Sequence, residues 1–130
     1  MIVELTPETF FENIHREGPL HVVLHYGANC GPCKTTLPHY ENVASHFADF
    51  KVTNVKFYKF HQWEPSYKEF VQENNLSTKG VPTVRYFYMK NVINEETRSF
   101  NDPNEVKRHI MDTISGIEIT TGMEFKLNED

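Results

Sequence analysis

Cysteine is nearly missing from this chain. Two thiols occur in 130 residues, at Cys30 and Cys33, too few for the several disulfides that hold small secreted domains together. No block of lysine or arginine occurs, and 13 basic against 18 acidic side chains give a formal net charge of −5. An electrostatic grip on nucleic-acid phosphates is therefore not expected. Long apolar runs are missing as well: charges are scattered through the opening stretch MIVELTPETFFENIHREGPL, and no later segment reaches the length of a membrane span. Neither a secretory leader nor a membrane partner is expected, and the chain reads as a cytoplasmic monomer. Internal repeats, low-complexity tracts and Pro/Gly-rich linkers are absent too. What is present, 38% hydrophobic and 13% aromatic residues, suits a single domain with packed layers.

Hydrophobic periodicity predicts the order β α β α β α β β α. MIVEL reads as a short strand, and Thr6-Pro7 as the N-cap and first position of a helix that turns Phe10, Phe11 and Ile14 inward and stops near Gly18-Pro19. LHVVLHY, residues 20–26, is apolar nearly throughout, as in a central strand covered on both faces. From Cys33 onward Leu37, Tyr40, Val43, Ala44 and Phe47 keep a helical period, with Pro38 expected to kink the helix. A strand is predicted over 52–60, a helix opening at Pro65 with Tyr67, Phe70 and Val71 on one side, and a loop over 76–80. Residues 81–88 resume strand character, with NVINEETRSF as an antiparallel partner across a turn near Lys90-Asn91. Asp102, Pro103 and Glu105 sign the start of a last helix, whose stripe Val106, Ile110 and Ile114 ends at Gly116. Alternating elements favour mostly parallel strands with helices on both faces, and the last two strands favour an antiparallel edge.

Both thiols lie in HYGANCGPCKTTLP, where the strand gives way to the helix. A thiol at a helix N-terminus is partly ionised, because unpaired N–H groups and the helix dipole favour negative charge there. Cys30 occupies that place. Gly31-Pro32 supplies a tight turn suited to starting a helix, so that Cys33 on the first turn can reach back to Cys30, and Lys34 adds a positive charge one residue on. These residues point to thiol–disulfide exchange, with Cys30 attacking a substrate disulfide and Cys33 resolving the mixed disulfide. Two plainer readings stand beside it. A staple closing so short a loop would contribute only roughly 2 kcal/mol. Zinc usually wants four ligands, of which the pair supplies two, and no second CxxC appears.

The strand VVLHY leading into CGPCK, the proline at Pro38 and the downstream GVPTV at residues 80–84 together resemble the thioredoxin family over about residues 1–116. The resemblance implies an α/β thioredoxin-like fold with a central mixed β-sheet flanked by helices on both faces. It also implies a cis bond before Pro82, which would lie against the disulfide, and a substrate chain held by the backbone of Val81. The implied activity is that of a protein-disulfide reductase with no bound cofactor. Electrons would come from an NADPH-dependent thioredoxin reductase, and the partners would be that reductase and disulfide-containing proteins.

The chain also departs from the family. Asn29, beside Cys30 in the substrate-binding region, stands where thioredoxins usually have tryptophan. Leu24 stands where they commonly have a buried aspartate that assists proton transfer, and the lysine this acid faces corresponds to Phe57, or to Lys56 with a one-residue shift. His25 alternates away from Leu24 and reads as a packing histidine, with water or His25 itself left to move the proton. The segment 61–76 looks longer than the family's, and the hairpin near Asn91 lacks the usual glycine. Residues 117–130 form a C-terminal extension, read either as a small hairpin or docking arm, or as a solvated acidic tail. A glutaredoxin-like reductase and a thioredoxin-fold accessory subunit with incidental redox activity remain the alternatives.

Overall fold

The computed structural model describes residues 2–49 and 54–122. Its elements are β1 (Ile2–Leu5), α1 (Phe10–Ile14), β2 (Leu20–Tyr26), α2 (Gly31–Asp49), β3 (Val55–His61), a 3-10 turn (Pro65–Tyr67), α3 (Lys68–Glu73), β4 (Thr83–Tyr88), β5 (Asn91–Thr97) and α4 (Pro103–Thr121). The five strands form one sheet in the order β1-β3-β2-β4-β5. β3 lies parallel to both β1 and β2, whereas β4 is antiparallel to β2 and to β5, so the sheet is mixed. β4 and β5 meet at a two-residue turn, Met89-Lys90, with both residues at positive φ, the geometry that matches the twist of a hairpin.

β2 runs through the middle, and its alternation divides the core. Leu20, Val22 and Leu24 face Tyr40, Val43, Ala44 and Phe47 of α2 and Val106, Ile110, Ile114 and Ile117 of α4. Val23 faces the other way, into a cluster with Phe10 and Ile14 of α1, Val71 of α3, and Phe60 and Phe87. Phe10 anchors that side, meeting Phe11, Phe60, Phe70 and Phe87 edge-on at 5.1–6.0 Å between ring centroids, the arrangement aromatic quadrupoles favour. Tyr40 is fully buried on the α2 side, and its hydroxyl lies 2.9 Å from the Val22 carbonyl and 2.7 Å from the Tyr58 carbonyl. The buried phenol is thereby satisfied.

Several boundaries differ from the sequence expectation, each for a local reason. Residues 6–9 form a turn, with the Thr9 and Phe10 N–H groups donating to the Thr6 carbonyl, so the first helix starts at Phe10 and not at Pro7. Proline opens the third helical segment as a 3-10 turn, with the Glu64 carboxylate accepting from the Ser66 N–H. Pro38 lies inside α2 without ending it. Residues 52 and 53 of the expected third strand lie outside the described residues.

The largest difference is at Gly116, where α4 does not stop. A glycine inside a helix costs about 1 kcal/mol relative to alanine. Continuing for one turn buries Ile117 to 6% exposure, a gain of roughly 1.5–3 kcal/mol for such a side chain. Burial outweighs propensity, and the helix ends at Gly122, in left-handed conformation with its N–H on the Glu118 carbonyl. Of the expected 117–130 extension, residues 117–121 are therefore helix, and the hairpin, arm or tail over 123–130 falls outside the described residues. The start of α4 is as the sequence implies: the Asp102 carboxylate accepts from the N–H groups of Asn104 and Glu105 at 2.7 and 3.1 Å.

Candidate active site

β2 ends at Tyr26, four further residues, 27–30, cross the top of the sheet, and α2 begins at Gly31. Cys30 is thus the N-cap of α2, and its carbonyl takes the first helical bond from the Lys34 N–H at 3.1 Å. Gly31, Pro32 and Cys33 are the first three helical residues. Pro32 has no N–H, so the donor aimed at the Cys30 side chain is that of Cys33, whose nitrogen lies 3.1 Å from the Cys30 Sγ. An oxygen in an ordinary N-cap receives the same bond. The two cysteines are joined in a disulfide with their Cα atoms 5.2 Å apart. Asn29, Gly31, Pro32 and Lys34 are exposed around the pair, whereas both cysteines are largely covered.

A second segment closes on the pair from β4. The Val81 carbonyl oxygen lies 3.7 Å from the Cys30 Sγ; with the sulfur in a disulfide this is a contact and not a hydrogen bond. The Val81-Pro82 bond is cis, and Pro82 is buried. The fold therefore brings Cys30, Cys33, Val81 and Pro82 together, with Asn29 at the exposed margin and Lys34 on the outer side of the helix.

Behind Val81 runs a polar chain whose members form no sequence motif. The Gln62 Oε1 lies 2.9 Å from His25 Nδ1 and 3.0 Å from the Thr78 hydroxyl. The Gly80 carbonyl is approached by the hydroxyls of Thr78 and Thr83 at 2.6 and 2.7 Å, and Thr83 meets Thr97 at 2.6 Å. Arg85 ties down the preceding loop: its guanidinium donates to the carbonyls of Leu76 and Ser77 and pairs with Glu95 at 3.2 Å. An arginine within the apolar run VPTVRYFY was the one available hint, since a charge in a covered strand needs a partner.

His25 is fully buried and lies on the sheet face opposite Leu24, as its alternation implies. A carbonyl oxygen only accepts, so Nδ1 carries the proton, and the Nε2 lone pair has no partner among the described residues. Burial, helped by the nearby Arg85 charge and opposed by the Gln62 bond, holds its pKa down at about 3. The ring is therefore neutral and half satisfied. His21, four residues back, differs: Nε2 bonds the Arg16 carbonyl and Nδ1 meets the Tyr58 hydroxyl, both at 2.8 Å.

The lysine level with Leu24 is Lys59, and this corrects the expected Phe57 or Lys56. Strand register puts Phe57 beside Val22 and Lys56 beside His21. Lys59 is also level with Glu4 of β1, with Nζ 4.0 Å from that carboxylate and 5.9 Å from the centroid of the Tyr26 ring. The Tyr26 hydroxyl donates to the same carboxylate at 2.8 Å. The carboxylate partner of this lysine thus comes from β1, and the Leu24 position is purely apolar.

Among the described residues no group of three or more His, Cys, Asp or Glu side chains is placed to hold a metal ion. No described helix is long and apolar enough to cross a membrane. In structure the chain is similar to thioredoxin f from spinach chloroplast, long form, at TM-score 0.69 and 23% identity over 86% of this chain and 85% of that one. It is similar to Chlamydomonas reinhardtii thioredoxin f2 at TM-score 0.67 and 22% identity over 95% and 100% of the two chains. A Malassezia sympodialis thioredoxin, Mala s 13, matches at TM-score 0.67 and 20% identity over 86% and 92%. Identities this low speak for the shared fold. No curated protein sequence matches the chain. The thioredoxin family model, in contrast, matches residues 1–112. Because that match runs through the cysteine pair, the Val81-Pro82 segment and on into α4, the chain belongs to the thioredoxin family, with Cys30 and Cys33 as its redox-active pair.

Proposed function

We propose that the chain is a protein-disulfide reductant of the thioredoxin type. The observation that carries this reading is the Cys33 N–H, 3.1 Å from the Cys30 Sγ at the start of α2: it stabilises a thiolate on Cys30 more than a thiol. In the reduced protein the Cys30 thiolate attacks one sulfur of a target disulfide. A Cys30–target bond forms, the target's S–S bond breaks, and the target's other sulfur leaves as a thiolate that takes up a proton. Cys33 then loses its proton and attacks the Cys30 sulfur, expelling the second target thiol. Two electrons and two protons have passed to the target, and the Cys30–Cys33 disulfide remains. Val81 supplies a backbone carbonyl beside the reacting sulfur, to which an extended target chain can bond by its backbone with little sequence preference.

A thioredoxin reductase drawing on NADPH would return the pair to the dithiol, so the chain itself carries no cofactor. The test is insulin reduction coupled to NADPH oxidation, with thioredoxin reductase in one arm and glutathione with its reductase in the other. NADPH consumption is expected in the first arm and not in the second. Turnover sustained by glutathione alone would make the chain glutaredoxin-like, and no turnover in either arm would leave it an accessory subunit.

A further inference from the structure

Trp63 is the only tryptophan in the chain, and it stands 52% exposed in the loop after β3. Single exposed apolar side chains are common and usually mean nothing. This one is fixed in place. Its ring lies on Gly27, where an added Cβ would come within 2.3 Å of Cε3 and 2.8 Å of Cδ2. No other described glycine has its Cβ site blocked in this way, and Gly27 has no positive φ to explain the residue otherwise. The absence of a side chain at 27 is what lets the indole lie there.

The backbone holds the same arrangement. The Gln62 N–H donates to the Tyr26 carbonyl at 3.0 Å, one step past the β2–β3 pairing, and the Glu64 N–H closes a turn onto the His61 carbonyl at 3.2 Å. Trp63 is thereby tied to the segment that reaches Cys30 three residues after Gly27. Trp63, Gln62, Ser77 and Thr78 also line a groove of about 330 Å³. Thr78 contacts the Gly80 carbonyl, next to Val81. The indole and the groove thus adjoin both segments that meet at the Cys30 sulfur, the one through Gly27 and the one through Thr78, Gly80 and Val81.

We propose that Trp63 is a specificity-determining contact for polypeptide disulfides: an apolar side chain flanking the target cysteine packs on the open part of the indole while Cys30 attacks the sulfur. The proposal rests on the reductant reading above. A large rigid ring, already ordered by Gly27, gives up little entropy on being covered, and for that reason tryptophan is enriched among residues that dominate interfaces. The occupant is the target polypeptide itself, because the ring lies on the segment that carries Cys30, and a small disulfide has no flanking residue to reach Trp63.

The experiment compares insulin with 2-hydroxyethyl disulfide for the wild-type protein, Trp63→Ala, Trp63→Phe and Gly27→Ala, with circular dichroism as the check on folding. The kcat/KM ratio of insulin over the small disulfide should fall about tenfold in Trp63→Ala, the size of one lost aromatic contact at an interface, mainly through KM. It should fall similarly in Gly27→Ala, where the added methyl displaces the ring, and return most of the way in Trp63→Phe. In Cys33→Ser trapped as a mixed disulfide with a tryptophan-free peptide, emission from the single indole should shift to the blue. A wild-type ratio in Trp63→Ala, equal losses on both substrates, or unshifted emission would each overturn the proposal. Failure of the wild-type protein on both substrates would instead remove the reductant reading beneath it.

Discussion

Replacing Cys30 with serine reduces coupled insulin turnover to the uncatalysed background, and replacing Cys33 with serine stops turnover while a covalent enzyme–substrate adduct accumulates. Both outcomes follow from the geometry at the start of α2. Only one sulfur receives the N–H of residue 33 and sits beside the Val81 carbonyl, and that sulfur belongs to Cys30. Serine at 30 keeps the N-cap acceptor, so α2 and the fold persist while the nucleophile is lost. Serine at 33 keeps the backbone N–H, so attack proceeds, but no thiol remains to displace the target. Non-reducing mass analysis reads the adduct directly. An adduct through Cys33 in the Cys30→Ser protein would reverse the two roles.

Acid should weaken this protein through His25, in a pH range set by its buried ring. An unfolded chain protonates the imidazole near the ordinary pKa of 6.5, whereas the folded protein refuses the proton until about 3. Below pH 6.5 the unfolded state therefore binds one more proton, and stability falls with acidification by about 1.4 kcal/mol per unit. The loss from this group between pH 6.5 and 4.5 is about 2 kcal/mol, and it levels off only below the folded pKa. Phenylalanine at 25 has no proton to bind, and it also removes the unpartnered Nε2. Urea unfolding of wild type and His25→Phe at the two pH values isolates the effect, since His21, whose pKa burial also lowers, titrates alike in both proteins. Equal losses on acidification would contradict the assignment. The rate of disulfide reduction should likewise show no inflection near pH 6.5 that disappears in His25→Phe.

The parts of the site that the sequence disclosed were the local ones. Cys30, Gly31, Pro32 and Cys33 are consecutive, and the change from the apolar run 20–26 to the helical period after Cys33 places them at a strand-to-helix junction without reference to anything distant. Val81-Pro82 lies some fifty residues away, and only the resemblance to a family linked it to the cysteines. Lateral register was hidden, because a period of two fixes which face a strand residue occupies and leaves open which neighbour stands level with it. Thus Lys59, not Phe57 or Lys56, is beside Leu24. The chain through Gln62, Thr78, Thr83 and Arg85 was hidden for a related reason: its members come from β4 and two separate loops, and none forms a motif alone. At Gly116 a local rule gave way to packing, since the stripe of α4 continues to Ile117. Gly27 showed nothing in the sequence that would set it apart from a turn glycine until Trp63 was seen lying on it.

All of this chemistry requires that α2 prepare the Cys30 sulfur to lose its proton. In the fully reduced protein, the rate of iodoacetamide alkylation at Cys30, located by peptide mass mapping, measures the thiolate fraction at each pH. The midpoint should lie at least one unit below the value of about 8.5 for a free cysteine. A midpoint at or above about 8.5 would contradict it.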